Sequence, residues 1–243
     1  MTEVSAATHT SRVRRAMHLV AVLAVLTACG RDKDRAKILT VNAHVYVLKS
    51  NTPLYEYRDV RQTAIQLGQV VTAAAPLIEV HALATTERAH GVAMLVRGID
   101  AKQIAAFGER AKLIVDGSLE GLKNDAPMAL VLGEKLAHRL GVQLGGRISI
   151  ALPGPGQMAR DARVVAIFRV GLDSYDDAVA FGVFADIQAL SGKGDVASAI
   201  EIELTDPDLA AETAHKLERV LGGPPYHVLD WHEVGPELPT FEE

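Results

Sequence analysis

The stretch Ile200–Trp231, "IEIELTDPDLAAETAHKLERVLGGPPYHVLDW", carries a complete strand–helix–strand pattern and decides the fold class. Ile200, Ile202 and Leu204 alternate with Glu201 and Glu203, the period-2 signature of a strand with one buried face. Thr205, Asp206, Pro207 and Asp208 then supply an N-cap, an early proline and first-turn acidic charge, which together start a helix. Leu209, Thr213, Leu217 and Val220 form its expected apolar stripe, and Gly222-Gly223-Pro224-Pro225 stops it. A second strand is expected from Tyr226 to Trp231.

The same grammar recurs near the start of the chain. Val41, Ala43, Val45 and Val47 alternate with Asn42, His44 and Tyr46, the pattern of a half-buried strand. A helix is expected around Asp59 to Leu67, with Val60, Ala64 and Leu67 inward and Gly68 ending it. Strands follow at Leu77–Ala84 and Val92–Val96, with Ile78, Val80 and Ala82 inward and Glu79 and His81 outward. The middle of the chain has its own pattern. A helical stretch is expected around Gln103 to Val115, and "LVLGEKLAHRLGV" (Leu130–Val142) repeats leucine at 132, 136 and 140. Strands at Arg147–Leu152 and Ala162–Phe168 flank a proline-glycine loop. The predicted class is α+β, a small sheet with helices on one face. The middle, about Asp100 to Gly192, is read as inserted between strands of the outer sheet.

At 243 residues the chain has ample length to bury a core. Its net charge of -5 and lack of a clustered basic face argue against a nucleic-acid surface. One cysteine excludes an internal disulfide and any multi-cysteine metal site. Residues 1–28 read as an export signal: Arg12, Arg14 and Arg15 precede a mostly apolar run from Ala16 to Ala28. That run is shorter than the ~20 residues a membrane-crossing helix needs. Leu26-Thr27-Ala28-Cys29 resembles a bacterial lipobox, making Cys29 the expected lipid attachment point and residues 29–37 a tether.

Few residues suggest catalysis, and no enzyme activity or cofactor is expected. "GSLEG" at Gly117 lacks the central serine of a nucleophile elbow, and "SGKGD" at Ser191 lacks the spacing of a phosphate-binding loop. The best metal-ligating cluster, His227, Asp230, His232 and Glu233, fails on a strand. Residues 227 and 232 are five apart and point to opposite faces. A metal-dependent hydrolase is therefore the weakest reading, and no metal is expected. The informative feature is "LPGPGQMARDA" (Leu152–Ala162). Pro153 and Pro155 remove backbone donors, Gly154 and Gly156 admit unusual turns, and Leu152, Pro155 and Met158 are expected to place apolar atoms at the tip.

Eight segments in order carry a family resemblance: "VNAHVYVL", "AAPLIEVHAL", "MLVRGID", "GSLEGL", "LVLGEKLAHRLGVQLGGRISI", "VVAIFRVGLDSYDDAVAFGVFADIQALSG", "IEIELTDPDLAAETAHKLERVLG" and "YHVLDWHEV". They resemble the extracytoplasmic domain of LolC/LolE-type ABC permease subunits, within the MacB-like periplasmic core family, over about Ile38 to Leu238. The resemblance implies a Porter-like βαβ subdomain (38–99 and 195–234), an inserted Sabre-like subdomain (100–194) and a tail (235–243). It implies a periplasm-facing, membrane-anchored module with a separate ATPase and permease as partners, acting in lipoprotein release. In LolC the loop between two Sabre strands is a hook that binds the carrier LolA. The matching residues here are Leu152, Pro153, Pro155, Met158 and Arg160, so a LolA-like carrier or a lipoprotein substrate joins the expected partners. The resemblance also admits a second reading, a permease subunit whose membrane helices are missing from this chain.

Overall fold

The computed structural model describes residues 36–100, 112–123 and 127–234. Among the described residues ten strands and five fully described α-helices form a mixed α+β arrangement. The strands are β1 (Val45–Lys49), β2 (Val71–Thr85), β3 (Val92–Ile99), β4 (Ile114–Gly117), β5 (Met128–Gly133), β6 (Arg147–Ala151), β7 (Arg160–Phe168), β8 (Val179–Val183), β9 (Ala199–Leu204) and β10 (Tyr226–Asp230). The helices are α1 (Tyr57–Ile65), α2 (Glu134–Leu140), α3 (Asp173–Asp176), α4 (Phe184–Ser191) and α5 (Ala210–Leu221).

Strand β2 organises everything else. Its first half, Val71 to Leu77, pairs antiparallel with β9 and so ends an open sheet of order β10-β1-β9-β2. Its second half pairs with β3 on one side and with β6 on the other. From β3 the pairing continues to β8, β5, β7 and β6, which returns to β2. Six strands therefore close into a barrel, helped by a register shift between Leu130 and Val131 where β5 meets β7.

The barrel interior is a single apolar core. It takes Ile78, Val80, Ala82 and Ala84 from β2, Met94 and Val96 from β3, and Leu130 and Leu132 from β5. Ile148 and Ile150 of β6, Val164 of β7 and Ala180 of β8 complete it. Helix α2 follows β5 and α4 follows β8, and these strands are antiparallel, so the two helices reach opposite mouths. Leu136 and Leu140 enter from one side and Ile187 and Leu190 from the other. Gly98 and Gly182 are register partners on β3 and β8, and their missing side chains leave the floor on which Ile187 sits.

A second core lies between the open sheet and helices α1 and α5, where Val45, Val47, Ile200 and Ile202 meet Val60, Ala64, Ala214 and Leu217. A third fills the opposite face of the sheet and the outer barrel wall, with Tyr46, Leu48, Leu95, Val131, Phe168 and Val179.

Several local expectations are corrected. Residues 36–41 are helical, and the first strand begins at Val45. It is buried on both faces, Val45 and Val47 on one and Tyr46 and Leu48 on the other. Leu132 belongs to β5, not to the helix of Leu136 and Leu140. Ile114 and Val115 lie in β4, and the rest of the expected helix from Gln103 falls outside the described residues. Leu209, just before α5, and Val220 on it are exposed, and Ala210, Thr213, Ala214 and Leu217 form the buried stripe.

A Cβ built at Gly98 would stand 2.5 Å from Ile78 Cγ2 and 2.8 Å from Ile187 Cβ. Gly98→Ala is expected to cost about 1–3 kcal/mol through overpacking. Adding Ile187→Ala should return less than the sum of the two separate losses, which urea unfolding of the single and double variants checks.

Candidate docking loop and interior arginine

The loop between β6 and β7 spans residues 152–159 and leaves the barrel on the side of α4, where the Arg160 guanidinium donates to the Ala189 carbonyl at 3.3 Å. Both flanking strands are pinned: Ile150 opposes Arg160 across the hairpin, and Ala151 opposes Leu83 on β2. Gly154 and Gly156 take positive φ values of 123° and 76°, which lets the chain turn twice between the prolines. Pro153 and Pro155 are exposed, and Met158 is 84% exposed. Leu152 departs from expectation: it is half-buried and packs against the barrel core. The five residues singled out in sequence thus divide into an anchor (Leu152), a brace (Arg160) and an apolar tip. Cys29 lies outside the described residues.

The C-terminal histidines are used locally. His227 Nε2 lies 2.6 Å from Ser50 Oγ, His232 stacks on Trp231 with ring centroids 3.6 Å apart, and His232 Nδ1 lies 2.9 Å from Asp230 Oδ1. Glu233 Oε2 accepts the Asp230 N–H. Among the described residues, no three His, Cys, Asp or Glu side chains converge as metal ligands.

Sequence reasoning missed a buried polar centre. Arg97 of β3 is 1% exposed and donates from Nε to Glu79 Oε2 at 3.0 Å. Glu79 and Glu201, expected to face outward, instead turn into this interior. Burial disfavours the guanidinium charge, but Tyr46, Glu79 and Glu201 outweigh it and raise the Arg97 pKa above its ordinary value. Among the described residues Arg97 Nη2 has no hydrogen-bond partner. Nearby, the Tyr175 hydroxyl bonds Asn42 Oδ1, the Asn42 amide donates to the Val234 carbonyl at 3.1 Å, and the Ala43 N–H donates to the Tyr46 hydroxyl at 2.9 Å. Asp176 is buried and accepts the Val170 and Gly171 N–H groups at 2.7 and 2.9 Å. One signal was available: "MLVRGI" places an arginine inside an otherwise apolar strand, where it requires a buried carboxylate.

This α+β architecture, with a closed barrel joined through one long strand to an open sheet, has counterparts among known proteins. The sequence matches the family model of the MacB-like periplasmic core domain over residues 19–220, and the chain belongs to that family. It is a periplasmic domain of the kind carried by ABC-type transporter permeases. Among solved structures, it is similar to the extracellular domain of the noncanonical ABC-type transporter YknZ from Gram-positive bacteria. That match has 16% identity and a TM-score of 0.50, and it covers 77% of this chain and 99% of the other. The periplasmic region of MacB from Actinobacillus actinomycetemcomitans matches at 11% identity and a TM-score of 0.49, covering 80% of this chain and 92% of the other. No curated protein matches the sequence. Among the described residues, no helix is long and apolar enough to cross a membrane.

Removing one partner from a buried ion pair costs about 3–5 kcal/mol, because the other charge is left uncompensated. Arg97→Met is expected to lose that much in denaturant unfolding. The triple variant Arg97→Met, Glu79→Leu, Glu201→Leu should regain most of it, and failure to regain would show that packing outweighs charge at this position.

Proposed function

We propose that this domain works by contact in an ABC-type transport system, of the LolC/LolE-like kind that releases lipoproteins, and that it catalyses no reaction. The β6–β7 loop is its docking element toward a carrier or a lipoprotein substrate. The observation that carries this reading is the loop's construction: an exposed Met158 and two exposed prolines, held out by an anchored Leu152 and a braced Arg160. An apolar tip on a rigid hairpin serves recognition, since loops fixed by a scaffold carry contacts with little ordering cost. In this reading the open sheet with α1 and α5 is the Porter-like part, the inserted middle is the Sabre-like part, and Cys29 carries the lipid that holds the module at the periplasmic face.

Pro155→Asp with Met158→Asp should abolish co-purification of a transporter subunit or LolA-like carrier from envelope extracts. Stability should change by no more than about 0.5 kcal/mol, as for other exposed positions. A large drop in thermal unfolding would mark the loop as packed and sink its role as a docking element. Cys29→Ser should move the protein from the membrane fraction to the soluble fraction with an unchanged far-ultraviolet spectrum. Unaltered membrane association would contradict lipid attachment there.

A further inference from the structure

The open sheet ends at β10, and among the described residues no strand pairs with its outer side. Two flanking bonds fix which way its backbone groups turn: the Trp231 N–H donates to the His44 carbonyl at 3.0 Å, and the Ser50 N–H donates to the Pro225 carbonyl at 2.9 Å. Residues directed at the partner alternate along an antiparallel strand. Residues 227 and 229 therefore turn toward β1, and 226, 228 and 230 turn outward.

The chain closes both ends of this edge itself. The Tyr226 N–H donates to the Gly223 carbonyl, the Asp230 N–H to Glu233 Oε2, and the Glu233 N–H to the Asp230 carbonyl. Between these stoppers three backbone groups have no hydrogen-bond partner among the described residues: the N–H and C=O of Val228 and the C=O of Tyr226. They border a depression of about 310 Å³ between β10 and α5, lined by Ala211, His215 and Glu218 on the helix and by Val228, Asp230 and Glu233 opposite. Among the described residues no lysine or arginine lines it.

A strand edge beside a helix, with a short run of open donors and acceptors, has the geometry by which an extended peptide adds to a sheet. The carboxylates of Glu218, Asp230 and Glu233 select its charge. We propose that the groove between α5 and the outer edge of β10 receives an extended segment of a partner protein, which adds as a strand and presents a lysine or arginine to these carboxylates. The stoppers at either end limit the added strand to a few residues and keep the edge from open-ended pairing. This surface is separate from the β6–β7 loop and does not depend on that loop's role.

The test uses the full chain and two labelled ten-residue peptides of alternating valine and serine, with two lysines in one and two glutamates at the same places in the other. Fluorescence anisotropy reads affinity, and amide hydrogen exchange reads the Val228 N–H. The lysine peptide should bind at least about ten-fold more tightly than the glutamate peptide and slow Val228 exchange about ten-fold or more at saturation. Ala211→Trp, at an exposed helix position, should fill the groove and abolish both effects, and Glu218→Lys should remove the preference for lysine. Unchanged Val228 exchange with either peptide, or equal binding to the Ala211→Trp variant, overturns the proposal. Self-association in sedimentation that Ala211→Trp abolishes would assign the groove to a second copy of this chain, and overturns it equally.

Discussion

A guanidinium with almost no access to water sets the terms for the rest of this structure. Arg97 sits on the outer wall of the barrel, facing Glu79 on the neighbouring strand β2 and Glu201 on β9 of the open sheet. An unpaired charge in such a place would cost several kcal/mol, so the carboxylates have to arrive with the arginine. This requirement fixes registers. Glu79 opposes Arg97 directly, and sliding β2 by one residue would swing the glutamate into the apolar barrel interior and Ile78 out of it. Buried ion pairs add little net stability over apolar packing, yet they penalise misalignment heavily. Here that penalty falls on the junction where one strand passes from sheet to barrel.

The barrel in turn explains how the loop between β6 and β7 is held. Closure pairs β6 with β2 and β7, and β7 with β5 and β6, and the helices at the two mouths fill the interior from opposite ends. Ile187 reaches its seat only because two adjacent strands carry glycine at the same level. A hairpin rooted in such a scaffold keeps Met158 in solvent. The loop sequence supplies the apolar tip, and the β2–β6 and β6–β7 pairings supply its direction.

What the sequence disclosed follows from how local each device is. Asp206 caps as its spacing predicts, its side chain accepting the Asp208 N–H, and Gly222 ends the helix in a left-handed conformation. Both are decided within four residues. The buried stripe of α5 was misplaced by about one position because its alanines pack inward while the larger Leu209 and Val220 stay at the rim. Alternation in "VNAHVYV" (Val41–Val47) suggested one wet face, but β1 lies between two cores and has none. Glu79 and Glu201 looked solvent-facing because charge in an alternating strand normally marks the outside; a distant arginine reverses that rule. Closure through β6 was illegible for a similar reason, since no local pattern reports which strand a hairpin returns to.

The ionisable groups whose pKa values shift clearly mark joints between distant parts of the chain. Burial pushes the Glu56 carboxyl up, but hydrogen bonds from Lys49 and Tyr226 outweigh it and hold the group at about 2. The same bond to Glu56, with burial, lifts Tyr226 to about 12. Asp195 is held low chiefly by Arg58, and Glu134 by Arg169. Each joins segments distant in the chain: β1 to β10 through the start of α1, α1 to the loop before β9, and α2 to the end of β7. Among the described residues the acids that shift move away from neutrality and sit at structural joints. Electrostatics of that kind hold distant segments of the chain in fixed relation.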